Sequence, residues 1–204
     1  MVRKNLMKKL SLLVISGVLL LSGTGCSMDK FIESMKGVSI EKPALTNLVE
    51  YLKEGYSIKA STDWVEENSS GETLSLVGNS DYFSGVTISI TTEDVSNLIS
   101  DEETVLKVYA SRLKETYDKV NDSAEESTDA TQSFSIGVTE SGLAQVNGKS
   151  AEYLKVNMSE SSVKKIWLLI KGSTIYAISV DCSNDIYDRV ISDVEEVVNT
   201  FVLK

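Results

Sequence analysis

The sequence holds no histidine, two cysteines and one proline among its 204 residues. Without histidine neither a Ser-His-Asp nor a Cys-His pair can activate a nucleophile, and the commonest transition-metal side-chain ligand is missing as well. Two cysteines alone cannot assemble a Cys/His zinc site or an iron–sulfur cluster. No G-x-x-x-x-G-K-[ST] or G-x-G-x-x-G loop occurs to cradle a nucleotide phosphate. Positive charge is also scarce: 20 Lys and Arg stand against 30 Asp and Glu, a net charge of −10. Such a surface repels phosphate backbones and anionic lipid headgroups, so nucleic acid is not expected as a partner. No cofactor or metal is expected, and no internal repeat is present.

Long apolar runs are confined to the start. Arg3, Lys4, Lys8 and Lys9 make a basic segment, Leu10 to Leu21 an apolar one too short to span a bilayer and stay, and Gly23-Thr24-Gly25 place small residues before Cys26. This is the anatomy of a bacterial lipoprotein signal over residues 1–25, with Gly23 where leucine is usual. Cleavage leaves Cys26 as the lipidated first residue, with a diacylglycerol on sulfur and often a further acyl chain, such as palmitate, on its amine. Two or more chains anchor a protein almost permanently, where one, at ~0.8 kcal/mol per buried CH₂, holds it only marginally. Losing four basic and no acidic residues takes the net charge from −10 to −14. The expected location is the extracytoplasmic face of a bacterial cell membrane. Ser27, rather than the aspartate that retains lipoproteins in an inner membrane, would send it to the outer membrane of a Gram-negative host. The Asn-x-Ser sequons at Asn68, Asn121 and Asn157 carry no meaning in that setting.

With Cys26 lipidated, Cys182 stands alone and no internal disulfide can form. It reads as a small buried hydrophobe closing the strand Ile175 to Val180, the alternative being a reactive or intermolecular thiol. Stability must then come from a core, and residues 51–204 suffice to build one as a single domain.

Residues 26–50 read as a lipid-anchored tether with a short helix, since Leu45, Leu48, Val49 and Leu52 repeat at helical spacing and Gly55 can end it. Strands follow at Tyr56 to Ala60, Leu74 to Val77 and Val86 to Thr91. A helix is expected over Asp101 to Val120, opened by a Ser100/Glu103 capping box and striped by Leu106, Tyr109, Leu113, Tyr117 and Val120. The acidic run Asn121 to Gln132 reads as a loop. Phe134, Ile136 and Val138 alternate as a strand, and Asn147-Gly148 signals a hairpin between Leu143–Val146 and Ala151–Met158. A second hairpin, Ile166–Lys171 with Thr174–Val180 about Gly172-Ser173, pairs Ile170 with Ile175 and Trp167 with Ile178. Both of its faces are apolar, which places it mid-sheet with Trp167, Leu169, Ile170, Ile175 and Ile178 nearly buried. The Asp101 helix and a Val-rich C-terminal helix from about Asp185 supply the two covers. The architecture is therefore α+β: an α/β/α sandwich around an antiparallel sheet of about six to seven strands.

Carboxylates are the remaining chemistry. Asp63/Glu66/Glu67 and Thr92-Glu93-Asp94 offer acid and base pairs or oxygen ligands for calcium, but lack the D-x-D-x-D-G spacing that preorganises an ion, so they read as solvated loops. S-x-x-K matches at Ser111, Ser161 and Ser162 lack the S-D-N and K-T-G partners of penicillin-interacting enzymes. Trp64 and Trp167 could form an aromatic platform, or else serve the sheet edge and the core.

The run Tyr56 to Trp64, the strand Val86-Thr87-Ile88, the long helix, the Asn147-Gly148 hairpin, the Lys171 to Tyr176 hairpin and a closing helix with Phe201 resemble the PsbP-like family. The resemblance covers residues 50 to 204, with Ser61-Thr62 where the family usually carries a proline before Asp-Trp. It implies a single PsbP-like domain with a binding or assembly-accessory role and no catalysis, and it assigns no catalytic residues. The expected protein is a membrane-anchored lipoprotein, not an enzyme, that binds an envelope protein. The alternatives are an extracytoplasmic hydrolase using a carboxylate pair and, less suited to this length, the solute-capturing subunit of an importer.

Overall fold

The computed structural model describes residues 47–67, 69, 73–98, 100–125 and 136–204, the side chains of 120–125 excepted. The signal segment, Cys26, the tether as far as residue 46, Phe134 and the acidic run beyond 125 lie outside these described residues. Among the described residues two antiparallel sheets form. The smaller holds β1 (Val49–Lys53), β2 (Tyr56–Ala60) and β10 (Val202–Leu203) in the order β1-β2-β10. The larger contains β3 (Trp64–Glu66), β4 (Leu74–Gly78), β5 (Thr87–Asp94), β6 (Gly137–Val146), β7 (Lys149–Ser159), β8 (Ser162–Lys171) and β9 (Thr174–Ser183) in the order β3-β4-β5-β9-β8-β7-β6. Two helices among the described residues, α1 (Glu102–Glu125) and α2 (Asn184–Val198), complete the α+β fold.

Turn chemistry sets the register of the long strands. Asn147 and Gly148 both take positive φ (48° and 72°), as a type I′ turn requires, and close β6 onto β7 with Val146 opposite Lys149. Gly172 alone is positive (59°) in the second turn, so Lys171 meets Thr174, Ile170 meets Ile175 and Trp167 meets Ile178, the register the sequence implies. A third tight turn at Glu160-Ser161 joins β7 to β8 without any glycine or proline to announce it.

Pairing register shows which side each helix takes. Glu93, Ile175 and Ile170 lie on one face, and Tyr109 of α1 donates its hydroxyl to Glu93 Oε2 at 2.6 Å there. Lys165 and Trp167 point to the other, where Lys165 Nζ meets Glu195 of α2 at 2.6 Å. The helices thus pack on opposite faces. The small sheet shares the α2 face, through Tyr56, Tyr176 and Phe201, whose ring centroids lie 5.4 to 6.1 Å apart. Trp167, Leu169, Ile175 and Ile178 are buried as their double-sided apolar pattern requires. Ile170 is only half-buried, because β7 pairs with β8 no further than Leu168 and leaves that side of Ile170 open, whereas its partner Ile175 is flanked by Glu93 of β5. Valine and isoleucine are costly in an isolated helix. In α2 the packing of Tyr187, Val190, Val194, Val197 and Val198, all buried, offsets that.

Three local expectations are corrected. Where the apolar spacing predicts a helix over 45–52, Val49–Lys53 is strand β1: the tight link to β2 lets its backbone pair, from Val49 opposite Ala60 to Lys53 opposite Tyr56. Ser100 does not cap α1. Asp101 does, its Oδ1 accepting from the Thr104 amide and its Oδ2 from the Thr104 hydroxyl, both at 2.9 Å. Finally, α1 continues past Val120 to Glu125 into the expected loop, since no glycine or proline interrupts residues 101–136.

Candidate functional site

The carboxylates singled out in the sequence do not converge. Asp63 accepts from Ser61 Oγ at 2.8 Å, Glu66 from Lys53 Nζ at 2.7 Å, and Glu67 is exposed. Glu93 is taken by Tyr109, and Asp94 accepts the Ser96 amide at 2.8 Å. Apart from the exposed Glu67, each is engaged in its own local contact, and among the described residues no three Cys, Asp or Glu side chains gather as a metal-ligating group. The two tryptophans form no joint platform either. Trp64 lies on β3 against Phe83 at 4.8 Å, and Trp167 lies on β8 four strands away, about 19 Å at the usual strand spacing. Each S-x-x-K match also comes apart: Ser161 sits in a turn, Ser162 and Lys165 point to opposite faces of β8, and Ser111 and Lys114 lie on the outer side of α1. Cys182 is buried on β9, and burial, then the nearby Asp181 and Asp185, push its thiol up to about 12.

What the fold does build is a cavity of about 310 Å³ where the C-terminal end of α2 overhangs the edge strand β6. Ala144 and Val146 form its rim on β6, Tyr153 and Trp167 its aromatic floor, and Glu195, Val198 and Asn199 its roof. Lys165 crosses it, with Nζ 5.2 Å from the Tyr153 ring centre, 5.1 Å from that of Trp167 and 2.6 Å from Glu195 Oε1. The roof is held at its far corner by Asn147, which donates its backbone N–H to Asn199 Oδ1 and its side-chain amide to the Phe201 carbonyl. The residue that sets the hairpin turn therefore also fixes the end of α2. Small residues keep the rim open: at Gly142 a Cβ would come within 3.2 Å of Tyr153 Cε1.

The cavity itself holds one cation and one anion, Lys165 and Glu195, paired with each other, and lies beside the C-terminal end of α2. The last turn of α2 carries Glu195 and Glu196 and no basic residue, so carboxylates add to the negative pole of the helix rather than offset it. Lys165 is the cation that answers this charge from inside.

None of Tyr153, Lys165 or Glu195 emerged as a site residue from the sequence. One signal was available. Lys164 and Lys165 are adjacent inside the apolar strand Val163–Ile170, so they must point to opposite faces of a covered sheet, and each then needs an acid supplied by its cover or its neighbouring strand. Lys164 finds Asp181 at 3.2 Å on the α1 face, and Lys165 finds Glu195 on the α2 face.

Among solved structures, the solution structure of cyanobacterial PsbP (CyanoP) from Synechocystis sp. PCC 6803 matches with a TM-score of 0.52. It is 11% identical and covers 83% of this chain and 99% of that one. The Saccharomyces cerevisiae Ran-binding protein Mog1p gives 0.46 at 11% identity over 77% and 95%, and LpqN from Mycobacterium tuberculosis gives 0.43 at 11% over 89% and 99%. No curated protein matches the chain in sequence. The family description of PsbP-like proteins matches residues 12–203, nearly the whole length, and the chain belongs to the PsbP-like family.

Proposed function

We propose that this protein is an extracytoplasmic lipoprotein, held to the membrane through lipid on Cys26, whose PsbP-like domain binds another envelope protein and catalyses nothing. The observation that carries the non-catalytic reading is the separation of the acids. With no histidine in the chain, the hydrolase alternative rests on a carboxylate pair, and paired carboxylates work at about 5 to 9.5 Å across a cleft with at least one pKa shifted. Here Asp63, Glu66, Glu93 and Asp94 are each committed to a different structural neighbour, and the cavity holds one carboxylate, closed onto a lysine. The basic segment, the short apolar run and the small residues before Cys26 support the anchor.

The test has two parts. Intact-mass analysis of the chain purified from membranes should find residues 1–25 removed and the mass of a diacylglycerol on Cys26, and Cys26→Ala should move the protein out of the membrane fraction or leave it unprocessed. In parallel, in situ cross-linking of the anchored protein should trap an envelope protein. An unmodified Cys26 inside an uncleaved chain would overturn the anchor. Turnover of a glycan or peptide that vanishes when one carboxylate becomes its amide would overturn the binding role.

A further inference from the structure

The two edges of the large sheet are unlike. β3 is a three-residue edge, whereas β6 runs for ten residues, guarded only by the register shift near its start and the overhang of α2 on one face. It has no proline and no lysine, its single charge is Glu140, and Leu143 stands 69% exposed near its middle. A register shift between Val138 and Glu140 ends the regular stretch on one side, and the Asn147-Gly148 turn ends it on the other, leaving Glu140–Val146 as a straight template. Because a two-residue turn closes on a hydrogen-bonded pair, Val146, Ala144, Gly142 and Glu140 spend their amide and carbonyl groups on β7. Those of Ser141, Leu143 and Gln145 point away from the sheet.

The cavity opens along this same stretch. A strand added to β6 would lie about 4.8 Å outside it. Its side chains on the α2 face would pass over Gly142 and Ala144, which are too small to block them, toward Tyr153 and Glu195. Main-chain bonding to an edge, with a neighbouring pocket reading one side chain, is the logic of β-strand addition. Charge selects the side chain. An aromatic floor, Glu195 and Glu196 at the negative pole of α2, and a domain with a large acidic surplus all favour a cation. Lys165 already holds Glu195 here at 2.6 Å, so an incoming arginine must share that carboxylate, and Glu196 with the helix pole supplies the uncompensated negative charge.

We propose that β6 and the cavity beside it dock an extended, basic segment of a partner protein, which joins the sheet as an eighth strand and lays an arginine or lysine against Tyr153 and Glu195. This rests on the binding role proposed above and specifies its site.

The probe is a ten-residue peptide of alternating valine and serine with one central arginine, added to the full-length chain in detergent, with fluorescence anisotropy and amide exchange as readouts. It should bind and slow exchange at Leu143 and Gln145. Replacing its arginine by glutamate should weaken binding at least about tenfold, and half-molar salt should weaken it too, as screening of a charge-selected contact requires. Leu143→Pro removes one outward-pointing N–H while leaving the bonds to β7, and should weaken binding by a similar factor. Glu195→Gln, which keeps the shape and an oxygen acceptor for Lys165, should weaken the arginine peptide several-fold and not a norleucine counterpart, with the variant's Tm measured alongside. No binding, equal binding of the glutamate peptide, indifference to both variants, or a β6-to-β6 dimer of the chain itself would each overturn the proposal. If cross-linking still traps an envelope partner in any of these cases, the binding role stands and this site does not. If no partner is trapped at all, the binding role fails with it.

Discussion

Trp167 serves two surfaces at once, the dry interior of the α2 face and the floor of the cavity. It is 3% exposed, so replacing it with alanine removes a large buried ring, and losses of about 3–5 kcal/mol are usual for such deletions. Chemical denaturation should show a midpoint shift of that size with an unchanged slope. A loss below about 1 kcal/mol would mean that the cavity lets the site collapse. Cys182, near the end of β9, makes the opposite kind of statement. Because only the thiolate reacts, a thiol pushed up to about 12 by burial should be silent to iodoacetamide at pH 8 in the native protein and react once the chain is unfolded in urea. The sign of its pH effect follows. Its folded value lies above the unfolded one, so its contribution is complete below about 9 and is lost as pH rises from there toward 12. Rapid native alkylation at pH 8 would show instead that β9 opens readily at its end.

At the level of the element, α1 offers a choice between two caps one residue apart. Asp101 takes both the amide and the hydroxyl of Thr104, and those bonds hold its carboxyl below the ordinary carboxylate range. Ser100 only donates to Asp101, at 3.4 Å. Asp101→Ala should therefore speed amide exchange at Thr104 and through the first turn, and Ser100→Ala should not. The wild-type protection should persist until pH falls through the depressed Asp101 value, since a lowered folded pKa stabilises at every pH above the unfolded one. Equal effects of the two substitutions would return the cap to Ser100. The mismatch has a physical origin: both residues are good caps, and S-x-x-E and D-x-x-T overlap in this sequence, so only the backbone geometry separates them. The same distinction runs through the whole chain. Hairpins whose turns demand positive φ were legible to the residue, and so was the double-sided apolar strand that needs a cover on each face. The β1 strand was not, because Leu45, Leu48, Val49 and Leu52 fit a helix equally well until β2 is there to pair with. The cavity was not legible either. It arises from residues on β6, β7, β8 and α2 that meet only through tertiary packing, and Lys164-Lys165 inside an apolar strand was its sole local trace.

For the molecule as a whole the governing property is surplus negative charge, −10 for the sequence. Many of the lysines are already engaged: Lys53, Lys107, Lys155, Lys164, Lys165 and Lys204 each lie within 4 Å of a carboxylate. The acids therefore outnumber the cations that could answer them. Added salt weakens both the pairs and the repulsion, and their magnitudes decide the outcome. Exposed pairs such as Lys107–Glu103 contribute about 0–1 kcal/mol, while the buried Lys164–Asp181 pair is screened little. Repulsion among the surplus carboxylates has no such shelter, and at a screening length of about 10 Å in 0.1 M salt it is largely removed. Stability should thus rise with sodium chloride from about 10 to 200 mM, by a few degrees in Tm, since about 1 kcal/mol moves a domain of this size by ~2–4 °C. Mild acid should act in the same direction. Burial, their first cause, raises Glu152 and Asp181, so as pH falls through their folded values they take up protons that the unfolded chain still lacks, and stability grows until the unfolded values are passed. Lower still the trend should reverse, as the unfolded chain takes up protons that Asp101 and Glu66, both held low by hydrogen bonds, refuse in the fold. A Tm that falls with salt at pH 7 would mean that the ion pairs outweigh the surplus, and that the acidic surface is an organised network rather than a field open to a basic partner.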